Sequence, residues 1–169
     1  MTWWSNQEVD PKRKNRFKVY IDSNFLVTAV SVTKPAVSIE TKEYQMVNQM
    51  YSYPGLAKWD PISISFVDGN GANNTTDEYD TSKKLWELLT SSGYSSPGGA
   101  GSPEKSKMVR ASMGNDLRIV QVTPNGKEVE EWTLHNPIIT KLSWGELDYG
   151  DDGFVSYTMD IKYDWATLD

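Results

Sequence analysis

Short runs with an apolar residue at every second position recur along this chain, and few folds accommodate them. Phe17, Val19 and Ile21 alternate with Lys18, Tyr20 and Asp22, and Ile62, Ile64 and Phe66 alternate with Ser63, Ser65 and Val67. Period two sends successive side chains to opposite faces, so each run predicts a strand with one apolar face to bury. After a turn at Asp22-Ser23-Asn24, residues 26–32 form a continuous apolar run with β-branched Val27, Thr28, Val30 and Val32, ended by Pro35. The alternation resumes at Val37-Ser38-Ile39-Glu40-Thr41-Lys42-Glu43-Tyr44, which predicts another strand. Residues 45–60 hold no clean period and predict a long loop or extended hairpin, with a turn at Tyr53-Pro54-Gly55.

From Asp77 the spacing changes. Tyr79, Leu85, Trp86, Leu88 and Leu89 suit a helix over about 77–90, capped near Thr76 or Asp77, stopped by Gly93 and packing Leu85, Trp86, Leu88 and Leu89 on the sheet. Residues 91–102 are a Gly/Ser-rich loop, and 103–113 are expected as a short second helix. Residues 117–122 and 128–134 flank Thr123-Pro124-Asn125-Gly126, and Asn-Gly is a favoured hairpin turn pair. Two further strands are expected at 137–144 and 154–165, joined by a Gly/Asp-rich turn at 148–153. The whole predicts a mainly β chain, an antiparallel β-sandwich or barrel with one flanking α-helix, organised as an N-terminal arm (1–16) and a single β-domain (17–169).

With 169 residues one sizeable core is possible. Seventeen basic against 23 acidic side chains, net −6, argue against a module that holds nucleic acid by neutralising phosphates. Cysteine is absent, which excludes disulfides, thiolate chemistry and Cys-ligated zinc. No stretch approaches the roughly 18 apolar residues of a membrane helix, and the opening residues lack a secretory pattern, so neither membrane insertion nor export is expected.

The search for chemistry yields no catalytic residue, cofactor site or metal ligand. His135 is the one histidine, and the spacing around it reveals neither a nucleophile nor an orienting carboxylate. Asp68-Gly69-Asn70-Gly71-Ala72-Asn73-Asn74 begins like a calcium loop, but Asn73 and Tyr79 stand where Gly and a bidentate Glu are needed. Asp148, Asp151 and Asp152 belong to a polar turn, and Gly98-Gly99-Ala100-Gly101 lacks the residues of a phosphate loop. The aromatic load is better suited to protein contact. Tyr51, Tyr53 and Trp59 occupy the segment without period, where a core role for Trp59 is equally natural, and the pair Trp3-Trp4 calls for burial against either the chain's own core or a neighbour.

The order of these elements resembles the tail tube proteins of contractile-tailed phages of the T4-like type, a family that shares its fold with the tubes of secretion and extracellular injection systems. Asn15-Arg-Phe-Lys-Val-Tyr-Ile21 is similar to the family's first core strand, followed by a second strand and Ala36-Val-Ser-Ile-Glu-Thr-Lys-Glu-Tyr44. Tyr53-Pro-Gly-Leu-Ala-Lys-Trp59-Asp-Pro-Ile-Ser-Ile-Ser-Phe66 resembles the long hairpin that returns through a Trp into a strand. The Leu85-Trp86 helix follows. Glu131-Trp-Thr-Leu-His-Asn-Pro137 through Trp144-Gly-Glu-Leu-Asp148, and then Val155 to Asp164, look like the C-terminal signature. The match spans about 15–164 and fails at the Gly/Ser-rich stretch 97–102.

The resemblance implies a non-enzymatic subunit that forms stacked hexameric rings, a virion tail tube assembled in the host cytoplasm. Implied partners are further copies of the chain, the tail sheath protein, baseplate and neck proteins, the tape measure protein, and double-stranded DNA in weak, non-specific passage. Trp3, Trp4, Tyr51, Tyr53, Pro54, Gly55 and Trp59 are the candidate inter-subunit residues. DNA carries a charge per roughly 1.7 Å and a basic wall would arrest it, so Glu40, Glu43, Glu128 and Glu130 are candidates for facing the lumen. Alternatives are a tube of a contractile injection or secretion system and a monomeric carbohydrate-active β-sandwich.

Overall fold

The computed structural model describes residues 12–21, 24–26, 28–69, 80–92, 94 and 116–169. Strands run in the order β1 (Phe17–Ile21), β2 (Asn24–Phe25), β3 (Ala29–Val32), β4 (Val37–Met46), β5 (Gln49–Trp59) and β6 (Ile62–Val67), then helix α1 (Thr81–Ser91). They continue with β7 (Asp116–Val122), β8 (Glu128–His135), β9 (Ile138–Ser143), β10 (Ser156–Lys162) and β11 (Trp165–Leu168). One sheet has the order β11-β8-β7-β1-β2, a second β3-β6-β10-β9, and β4-β5 form a separate two-stranded hairpin. All of the pairings are antiparallel.

The period-two pattern closes the core as expected. Register aligns Ile62, Ile64 and Phe66 of β6 with Ile161, Met159 and Tyr157 of β10, and all six are buried. Val19 and Ile21 of β1 lie opposite Ile119 and Leu117 of β7, and Leu117 opposite Leu134 of β8. These two inner faces form a continuous cluster with Leu85 of α1, the packing of a β-sandwich with its helix on the flank. Each fully buried side chain of this size contributes about 1.5–3 kcal/mol.

Local structure departs from the sequence reading at several points. Helix α1 begins at Thr81, capped by Asp80, whose carboxylate accepts from Lys83 N at 3.0 Å; the expected caps Thr76 and Asp77 lie outside the described residues. Trp86 is exposed instead of packing on the sheet, while Leu85 is buried and Leu88 packs against the core. The apolar run 26–32 supplies only the short β3. Tyr53-Pro54-Gly55 is no turn: it lies within β5, and the reversal is at Val47-Asn48. Pro54 has no N–H to donate, which an edge position tolerates. Residues 154–165 are not one strand either, because Phe154 stands free and the chain leaves β10 at Tyr163-Asp164 to add β11 to the other sheet. That crossing is tied to the reverse crossing at Asn136-Pro137, where Asn136 adopts φ 53° and its Nδ2 donates to Asp164 Oδ2 at 2.9 Å. The expected second helix at 103–113, the pair Trp3-Trp4 and residues 95–102 lie outside the described residues.

Candidate assembly surface

The β4-β5 hairpin stands apart from the two sheets. Its strands span about 30 Å, and every residue except Trp59 is exposed. Trp59 anchors the base, packing against the core and meeting Tyr163 with ring centroids 5.9 Å apart. Trp59 is thus a joint between hairpin and body, while Tyr51 and Tyr53 stand out on the arm.

Which side chains share a face is decided by one extra residue. Ile39 pairs with Ala57 but Thr41 pairs with Pro54, so two steps along β4 match three along β5. Beyond this bulge Lys42 faces Tyr53, Tyr44 faces Tyr51 and Met46 faces Gln49, giving one aromatic face. Thr41, Glu43 and Gln45 with Pro54, Ser52 and Met50 make the opposite, more polar face. Removing the extra residue would move Tyr51 and Tyr53 to the side of Glu43. Gly55 permits the bulge: a Cβ there would meet the carbonyl oxygen of Glu40 at 2.8 Å. The tip adds Val47, 87% exposed and held at φ 57°, a backbone region unfavourable for a β-branched residue.

The four acidic candidates separate. Glu40, Glu43 and Glu128 are exposed. Glu130 accepts hydrogen bonds from Lys12, from Lys34 at 2.6 Å and from Trp132 Nε1 at 2.7 Å. The ammonium of Lys12, that of Lys34 and the indole together push its pKa down to about 2, against the opposing cost of burial. Its charge is committed inside the chain.

Sequence spacing concealed the surroundings of His135. Its Nδ1 lies 2.7 Å from Asp116 Oδ1, its Nε2 lies 3.3 Å from Thr167 Oγ1, and its ring stacks on Trp165 at 5.0 Å. The three partners come from β7 and β11, the two neighbours of β8, so the imidazole cross-links three strands. Asp68, from the calcium-like stretch, accepts the Tyr157 hydroxyl at 2.7 Å, and burial together with that carboxylate pushes the phenol up to about 12. Among the described residues no group of three or more His, Cys, Asp or Glu could hold a metal ion.

No family model and no curated protein sequence matches the chain. Solved structures do. A chain of an extracellular contractile injection system, the PVC sheath-tube complex in the extended state, superposes with TM-score 0.69 at 16% identity, covering 94% of this chain and 91% of that one. A chain of the PVC sheath/tube terminator gives TM-score 0.71 at 15% identity, covering 95% and 98%. A chain of the 6-fold symmetrised baseplate of the anti-feeding prophage gives 0.65 at 11%, covering 95% and 97%. This fold is shared with chains of contractile injection systems.

Two apolar surfaces escaped the sequence reading. Trp86 of α1 meets Tyr94 at 5.8 Å and Trp144 at 6.1 Å between ring centroids, a half-exposed aromatic cluster on the helix flank. Leu147, Tyr149 and Phe154 project from the loop between β9 and β10. A signal existed for the second, since three large apolar residues sit inside a stretch otherwise composed of Gly, Asp and Glu.

Proposed function

We propose that this chain is the tube subunit of a contractile tail-like machine, with an N-terminal arm and one β-domain, assembling into hexameric rings that stack into a conduit. The observation that carries the reading is the β4-β5 hairpin. It is two strands thick, exposed on both faces, and carries Tyr44, Met46, Tyr51 and Tyr53 on one of them. An isolated hairpin is marginal in water, and its unpaired edges and apolar face are relieved when hairpins of neighbouring subunits join into a closed barrel. The shared fold supports this reading, as does a structural relative taken from a baseplate described as 6-fold symmetrised.

In the injection-system form the tube carries protein; in the phage form, the T4-like resemblance, it passes double-stranded DNA and works with a tape measure protein and neck. Both use a sheath and a baseplate as partners, and the solved relatives, described as sheath-tube complex and baseplate of injection systems, favour the former. The role is structural and requires no cofactor. Electron microscopy of the purified protein tests the reading: rings or tubes are expected. Tyr51→Ser with Tyr53→Ser is expected to abolish them while leaving far-UV circular dichroism unchanged. Normal tubes from the double variant, or a wild-type protein that stays monomeric at high concentration, would refute it.

A further inference from the structure

The loop 144–155 between β9 and β10 is acidic and apolar at once. It holds Glu146, Asp148, Asp151 and Asp152 and no Lys or Arg, while Leu147 and Phe154 are 84% and 90% exposed and Tyr149 is fully so. The loop is shaped in advance. Asp148 Oδ1 accepts from Gly150 N and Asp151 Oδ1 from Gly153 N, both at 2.9 Å. Gly145, at φ 72°, leaves no room for a side chain, since a Cβ would come within 2.4 Å of Ser156 O. A preformed loop loses little entropy on docking.

A complementary surface lies elsewhere on the same chain. A cleft of about 640 Å³ has an apolar floor that includes Phe17, Val32, Ile119 and Trp132, and a rim that includes Lys12, Lys14 and Lys34. Even with Glu130 counted among its lining residues, this rim is net positive. The cleft rim and the loop are joined to opposite ends of β6: Thr33 N, beside Lys34, donates to Ser63 O, and Asp68 N donates to Val155 O. Five residues of strand separate those ties by about 17 Å.

We infer that the acidic apolar loop of one copy seats in the basic apolar cleft of the next copy along the direction of β6, forming the contact between successive rings. The two surfaces differ, so the contact is head-to-tail and repeats without closing, which suits stacking and not ring closure. Leu147, Tyr149 and Phe154 supply the buried area, and the carboxylates meeting lysines set the polarity of the stack. The inference rests on the tube reading above.

Charge reversal tests it. Asp152→Lys and Lys14→Glu are each expected to leave rings intact but shorten tubes in electron micrographs. Each lost pair weakens one contact about threefold, and every subunit of a ring repeats the loss, so mean length falls by about tenfold or more. Combining Asp152→Lys with Lys14→Glu restores length. Phe154→Ser shortens tubes without rescue by the second reversal. Tubes of wild-type length in both Asp152→Lys and Phe154→Ser would overturn the inference, as would folded variants that fail to form rings, because the loop would then serve ring closure. Failure of the tube reading shows separately, as wild-type protein without rings. The contact is then read by sedimentation as salt-sensitive self-association lost in Phe154→Ser, and its absence overturns the inference.

Discussion

Glu130→Gln should destabilise the folded subunit at neutral pH and do so progressively less as the solution is acidified. The carboxylate receives Lys12, Lys34 and the Trp132 indole, which hold its pKa near 2 against an ordinary 4.5. That depression corresponds to at most about 3 kcal/mol of folding free energy. Both lysines are about half exposed while Glu130 is mostly covered, so solvent screens the pairs and the expected loss is about 1–2 kcal/mol. The carboxylate protonates near 4.5 in the unfolded chain and near 2 in the folded one. Its contribution is therefore complete above about pH 5 and disappears as pH falls toward 2. Urea unfolding in the Tyr51→Ser, Tyr53→Ser background, which the proposed function expects not to assemble, keeps assembly from coupling to stability. That background with and without Glu130→Gln is compared at pH 7, 4 and 2.5. A difference at pH 7 below about 0.3 kcal/mol, or one that stays constant down to pH 2.5, would show that the ion cluster contributes nothing beyond packing. A real difference would also mean that Glu130→Lys disturbs folding, so the lumen charge of the proposed function is better tested at Glu40 and Glu43.

Leu85→Ala, at a fully buried position of α1, should cost about 2–5 kcal/mol and Leu88→Ala, only partly buried, less, in chemical denaturation; equal costs would mean that the helix seats differently. Gly55→Val should drive a side chain into the Glu40 carbonyl, disturb the bulge and stop tube growth without unfolding the sandwich. Electron microscopy paired with a thermal melt checks this, and tubes of normal length would refute it. In the phage form of the function, Glu40→Lys with Glu43→Lys should slow DNA release from assembled particles, and added salt should relieve the slowing, because the new contacts are to phosphates. Unchanged release at low salt, with both residues shown to face the channel, would remove lumen charge from the mechanism.

Much of this protein was legible along the sequence because its signals are local. Alternation at 62–66 and at 17–21 fixed which side chains enter the core, since the two-residue period of a strand leaves them no other face. Asn125-Gly126 placed the β7-β8 reversal, with Gly126 at φ 78° where a side chain would be strained. Other features depend on residues far apart in the chain. Pro54-Gly55 has the local chemistry of a turn, yet pairing with β4 makes it a bulge within a strand, and that bulge alone decides that Tyr51 and Tyr53 share a face with Tyr44. Lys12 and Glu130 stand 118 positions apart, and Asp116, His135 and Thr167 meet only because β7, β8 and β11 are neighbours in one sheet. Composition placed acidic and aromatic residues in the chain; strand order and register decided which charges are spent internally and which aromatic surfaces are left exposed. The physical reason is that a period is set by the backbone of a few consecutive residues, whereas a partner is set by the sheet.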